Sequence, residues 1–402
     1  MQVKLHLHAA TATAVFLALI LTFAVVALVD SSGVNASNHP QCGDTITTDT
    51  TLHHNLVNCP NNGIIIGADN VTLDLNYHTV DGDGSLTPGC NPEMEFCDEG
   101  VVNLGHDGVT VVHGSVREFA FGADAGRARH VRFLGISTSR NLFFGMVIFG
   151  SAQSVIRNGS SSRNIPPEGD GIGVFSSNHI QIVHNKIRHN PGPGIHVDDS
   201  NENLIKRNVF SRNSPGILME ADRNRLRDNR MIRNSEGIFA AGNGNVIARN
   251  RVFGALGGSG ITFEGGHDNL IAHNVVVRAG RAGHGHRQSH SAGIRVGLLR
   301  EQLRNGPRAV DTVVRRNRVK RTRKDALIVE ATAKRTLLDR NLARDAGADG
   351  FGVDSRRTKL TRNRAVHNDD LGIDAVRGVT DGGGNIARHN GDPRQCTHIV
   401  CR

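Results

Sequence analysis

One phrase recurs along this chain and limits what it can fold into. In residues 203–220, NLIKRNVFSRNSPGILME, an apolar residue and two spacers precede an Asn, which is followed by a spacer, an apolar residue, a loop and Gly-apolar-x-apolar. The Asn recurs at Asn158, Asn185, Asn208, Asn229, Asn250, Asn274, Asn317, Asn341, Asn363 and Asn390, with Val155, Ile182, Ile205, Leu226, Ile247, Ile271, Val314, Leu338, Leu360 or Ala387 three residues earlier. From Gly171 to Gly372 the closing dipeptide recurs at spacings of 23, 22, 21, 23, 33, 33, 24 and 22 residues. A period in the low twenties, with apolar residues two apart and no helical pattern, predicts short strands stacked coil on coil. No such strand buries its apolar side alone; parallel pairing with the next coil, about 4.8 Å away, closes a continuous core. Ile187, Phe210, Met231, Val252, Val276 and Val319 form one expected inward column, and Ile195, Ile217, Ile238, Ile261 and Ile294 belong to another. The Asn falls where the chain bends and left-handed backbone is tolerated, and stacked amides can satisfy the bend's backbone groups.

Over about the last 340 residues this repeat resembles the right-handed parallel β-helix family, the pectate-lyase-like superfamily. The resemblance implies an all-β, right-handed parallel β-helix with three short strands per coil. Most members bind or process polysaccharides, as lyases, polygalacturonases, uronate epimerases or phage tailspikes. A smaller branch helps mature a copper enzyme in the periplasm.

Lys4, an apolar run from Ala14 to Val29 and the small-residue pattern Val34-Asn35-Ala36 predict an export signal over residues 1–36, with an uncleaved anchor as the alternative. Residues 37–402 read as a single solenoid domain with a secreted or periplasmic address, no membrane span after signal removal, and a monomeric state. The six cysteines fall as neighbouring couples, Cys42 with Cys59, Cys90 with Cys97 and Cys396 with Cys401. Local pairing is the simplest of the connectivities the sequence allows, and an oxidising compartment would close them. Asp74, Asp81 and Asp83 read as turn residues, with cation binding as the alternative. Trp is absent and Tyr occurs once, so ordinary sugar-stacking platforms are nearly missing. A formal charge of +9 favours an anionic partner, here an acidic polysaccharide or cell-wall polymer, with no nucleic acid expected.

In the superfamily the Gly-apolar-x-apolar strand lines the polymer groove. Carried over, that face presents His196 and Arg295, and two residues further along each coil come Asp198, Glu220, Glu264, Glu330 and Asp354. One candidate centre joins His196, Asp198, Asp199 and Glu220. The other is set by two long intervals that bracket Arg295, placing it between Glu264 and Glu330 beside a basic loop with His284, His286, Arg287 and His290. The resemblance to pectate-lyase-like β-elimination implies that Arg295 would abstract the proton α to a uronate carboxylate, with His284 or His286 assisting as acid or base. Because Ile294 and Val296 point inward, Arg295 is expected to point out and contribute little to stability. Glu220, Glu264, Glu330 and Arg287 are the expected substrate-binding residues. The sequence leaves the cofactor open, with Ca²⁺ a candidate. These features point to an exported protein that binds an anionic polysaccharide and acts on it as a lyase or epimerase. The rival readings are a non-catalytic glycan-binding solenoid and a periplasmic metal-handling protein whose ligands come from the His loop.

Overall fold

A computed structural model describes residues 39–86, 88–91, 97–166, 168–280, 291–298 and 308–402. The expected export signal and the basic loop with His284, His286, Arg287 and His290 lie outside these residues. Among the described residues there is no helix, and hence none long and apolar enough to cross a membrane.

Each regular coil contributes three short strands, for example Ile195–Asp198, Leu204–Lys206 and Val209–Ser211. The first belongs to a 14-stranded parallel sheet that runs the length of the molecule, here called the groove sheet. The other two pair with their own counterparts above and below, so that Leu204 faces Arg225 and Val209 faces Arg230. Both expected inward columns are buried, with Ile195, Ile217, Ile238, Ile261 and Ile294 at 0 % exposure. All three cysteine couples form local disulfides, Cys42–Cys59 in the entry coil and Cys396–Cys401 at the exit. Asp74 and Asp83 accept turn amides from Asn76 and Ser85, whereas Asp81 is held by both nitrogens of a forked contact from Arg117, each at 2.7 Å.

The Asn column forms the expected ladder. Asn208 donates its backbone N–H to Asn229 Oδ1 at 3.0 Å and its Nδ2 to the carbonyl of Ile182 at 2.8 Å and to Asn229 Oδ1 at 3.2 Å. Each amide thus ties three coils together while saturating the corner. The left-handed residue, however, is the one before the Asn: Arg207, Asp228, Arg249 and His273 have φ of 56°, 59°, 56° and 58°. The Asn backbone already leads into the next strand, so its neighbour makes the bend. Two further corners carry their own ladders, through Asn190, Asn213 and Asn234 and through Asn203, Asn224, Asn245 and Asn269.

The repeat frame slips at both ends. Ile156 pairs with Ile182, so Gly159, not Asn158, takes the rung beneath Asn185, and Ile156 replaces Val155 in the core. At the other end Asn385 supplies the rung above Asn363, while Asn390 belongs to a different corner above Asn368. The offset is one residue at the first end and five at the other, and both are invisible to a pattern that accepts any apolar residue near an Asn.

Replacing Asn208 or Asn229 by Leu should lower unfolding free energy by about 1–3 kcal/mol, since a buried N–H and a buried carbonyl of the preceding coil lose their partners. Chemical denaturation of the variants, with far-UV spectra confirming retained β structure, measures this directly.

Candidate functional site

Strand register sets what the outer face of the groove sheet displays. Three outward rows run along it. The middle row passes through Gly173, His196, Leu218, Phe239, Thr262, Arg295 and Ile328. A second row contains Phe175, Asp198, Glu220 and Ala241. A third, just before each closing Gly, contains Asp170, Pro193, Pro215, Glu236, Ser259 and Ala292, as the Gly N–H bonds to the next coil demonstrate.

The row before the Gly supplies the partner that sequence reading missed. Asp170 is 1 % exposed, and its Oδ2 lies 3.1 Å from His196 Nδ1. With Nδ1–H donating to Asp170, Nε2 is the ring atom left to exchange a proton. The Phe175 ring packs against the imidazole at 5.1 Å and 76°, fixing its plane from the side. Burial pushes His196 down, but the hydrogen bond and charge of Asp170, with the charges of Asp198 and Glu220, override it and hold the imidazole above its ordinary value of 6.5. Asp170 itself is raised by burial, only partly offset by His196, and its Oδ1 meets no partner among the described residues. Gly192 leaves room for this carboxylate, since a Cβ there would lie 2.0 Å from Asp170 Oδ1. Asp198 and Glu220 are register neighbours on adjacent strands and half-buried. Asp199 does not join them: it is exposed in the turn after the strand, at φ 45°.

Four strands away, about 19 Å along the axis at 4.8 Å per coil, Arg295 forms a different centre. It faces outward in register with Thr262 and Ile328, yet it is only 3 % exposed. Its side chain donates to Glu264 Oε1 at 3.3 Å. Burial raises Glu264, Glu330 and Glu236 to about 7 each, although the Arg295 charge pulls all of them down. The guanidinium is therefore a buried counter-charge shared by carboxyls from different coils. The expectation that Arg295 contributes little to stability is corrected, because its loss would leave buried acids without a cation. Glu236 is a further member that the sequence pattern did not single out.

Acids also cluster near the entry end. Burial raises Asp98 to about 7, and burial with the neighbouring Asp98 raises Glu99 to about 8; Asp124, also buried, is pushed well above its ordinary range. Between this cluster and His196 lies a phenylalanine group in which Phe121 stacks on Phe143 and Phe144, and Phe144 meets Phe175 edge-on. These rings are nearly buried and form the apolar floor beside the histidine. Among the described residues no group of three or more His, Cys, Asp or Glu is arranged to hold a metal ion.

Residues 135–296, about two fifths of the chain, match a family described as periplasmic copper-binding protein (NosD). The fold is also that of several solved structures. The Dettilon tailspike protein (gp208) aligns at a TM-score of 0.54 and 18% identity, over 71% of this chain and 61% of the tailspike. The fold is a right-handed parallel β-helix. The A-module of the Azotobacter vinelandii mannuronan C-5 epimerase AlgE6 aligns at 0.54 and 11% identity, over 85% of this β-helix and 88% of the module. The catalytic domain of a GH87 α-1,3-glucanase aligns at 0.53 and 12% identity, over 86% and 63%. No curated protein matches the sequence.

The raised carboxyls make stability pH-dependent. Each binds a proton more tightly folded than unfolded, so folding loses free energy as pH rises from the unfolded carboxyl range through about 7. His196 acts in the same direction, its contribution being complete below 6.5 and lost as pH rises through its raised value. The lowered acids Asp228 and Asp311 act with the opposite sign, but only below the ordinary carboxyl range. The thermal midpoint should therefore be higher at pH 5 than at pH 8, and Glu264→Gln with Glu330→Gln should flatten the slope in a calorimetric pH series.

Proposed function

We propose that the protein is an exported β-helix that binds an acidic polysaccharide along the outer face of the groove sheet and acts on it as a lyase or epimerase, with His196 as the proton-transfer group. The observation that carries this reading is the His196–Asp170 pair, half-open on a polymer-length face and flanked by Asp198 and Glu220. The local disulfides support the exported address, and the fold shared with a tailspike, an epimerase module and a glucanase domain supports a glycan as ligand. Arg295, which could instead serve as the base, is closed off at 3 % exposure and engaged by Glu264, so His196 is the better-placed group.

In this mechanism Nε2 of neutral His196 takes the proton from the sugar carbon α to the uronate carboxylate. Asp170 holds the ring through Nδ1–H and stabilises the imidazolium that forms. Return of a proton to the opposite face gives the epimer. Expulsion of the adjacent glycosidic oxygen, which takes the proton back from the His196 imidazolium, gives an unsaturated sugar. The substrate carboxylate would enter a face rich in acids. Protonation of those acids, or a cation such as Ca²⁺ brought with the polymer, would relieve the repulsion.

The test is incubation of the protein with polymannuronate, polyguluronate and polygalacturonate, following unsaturated-uronate absorbance and product stereochemistry. His196→Ala should cost about 100- to 10,000-fold in rate. For the parent, kcat/KM should rise with pH through a midpoint above 6.5, the ordinary imidazole value. Asp170→Asn, a change at the positioning residue, should move that midpoint down by removing the negative charge. Unchanged turnover in His196→Ala, with loss in a folded Arg295→Ala variant, would move the centre to the glutamate cluster.

A further inference from the structure

A stripe of arginines lies away from the groove sheet, at the corner carrying the Asn208–Asn363 ladder. On one side of the ladder, at the left-handed position, stand Arg207, Arg249, Arg316, Arg340 and Arg362. On the other side stand Arg230, Arg251, Arg318 and Arg364, and all nine are exposed. Acids neutralise few of them. Asp228 binds Arg249 at 2.7 Å, and Asp339 lies 2.9 Å from Arg362 and 3.4 Å from Arg340. Arg207, Arg230, Arg251, Arg316, Arg318 and Arg364 meet no carboxylate among the described residues.

Like charges are even set directly opposite each other, Arg230 against Arg251. Cross-strand pairs of this kind oppose folding, so the arrangement gives the isolated coil no advantage. His273, midway along the stripe, is pushed below its ordinary value by burial and by Arg316, Arg315 and Arg249. Two shallow grooves of about 800 and 830 Å³ run along this corner and share His273 and Val275, so they form one continuous channel.

We propose that this arginine channel is a second binding surface, one that holds a linear acidic polysaccharide apart from the groove sheet. The repeat decides the class of ligand. Seven coils from Asn208 to Asn363 make six steps, about 29 Å at 4.8 Å per step, and free guanidinium groups recur along them. A polyuronate presents one carboxylate per sugar on an extended chain, so its charges run beside the arginines without the polymer folding. The guanidinium fork pairs with carboxylate in two parallel hydrogen bonds. Single-stranded nucleic acid would also need exposed aromatic faces for its bases. The exposed ring beside the stripe, Phe253, has the Arg278 guanidinium over its face, 5.6 Å from the centroid. The proposal takes its polymer class from the function proposed above but requires no turnover.

The experiment is affinity electrophoresis of the full chain through gels containing polygalacturonate or alginate, with dextran as the neutral control. The parent should be retarded by the polyuronates and not by dextran, and retardation should fall as salt is raised. Arg251→Glu combined with Arg318→Glu should weaken retention at least about tenfold, whereas Arg251→Lys with Arg318→Lys should keep most of it. Both pairs are exposed, and an unchanged thermal midpoint confirms that they fold. Equal retention of the charge-reversed variant overturns the proposal, as does tighter binding of a single-stranded oligonucleotide than of polyuronate. If no polymer is turned over but retention depends on the arginines, the lyase or epimerase reading falls and the channel stands.

Discussion

The structure depends on the amide of a buried asparagine reaching between coils. At each corner the chain turns too sharply for its backbone groups to pair within the strands, and a buried unpaired amide or carbonyl is costly. The side chains of Asn208, Asn229 and Asn250 supply those partners, donating to a carbonyl in the coil below and accepting an N–H from it. Ladders at three corners hold adjacent coils in a single register. Parallel short strands have little else to prevent a slip, which would carry every side chain to the wrong face.

Fixed register has a chemical consequence. Once coils stack in step, residues at equivalent positions become neighbours, so single choices repeated along the sequence become rows with collective properties. Acids placed after the groove strand gather around Arg295 and rise toward neutral pH, because burial and mutual repulsion act together. Arginines placed beside the Asn remain in water and accumulate uncompensated charge. The molecule thus separates its signs. Buried acids lie on the groove sheet and exposed arginines at the ladder corner. Phenylalanines, in the absence of tryptophan, supply an apolar floor where the groove passes Phe121, Phe144 and Phe175.

The sequence by itself determined the coil, its parallel strands, the inward columns through Ile195 and Phe210, the Asn ladder and the local disulfides. Each is a short-range rule repeated often enough that errors at single coils do not matter. It also placed His196, Glu220, Glu264, Arg295 and Glu330 on one face, because strand alternation alone decides that. Tertiary structure decided what those residues are. Asp170 meets His196, and Glu236 joins the Arg295 cluster, through a row preceding the closing Gly that a pattern anchored after it does not display. Asp199 leaves the face because the chain turns left-handed there. Arg295 is outward yet buried, a distinction between direction and exposure that alternation cannot make, since burial depends on what neighbouring coils stack beside a residue rather than on its own place in the strand.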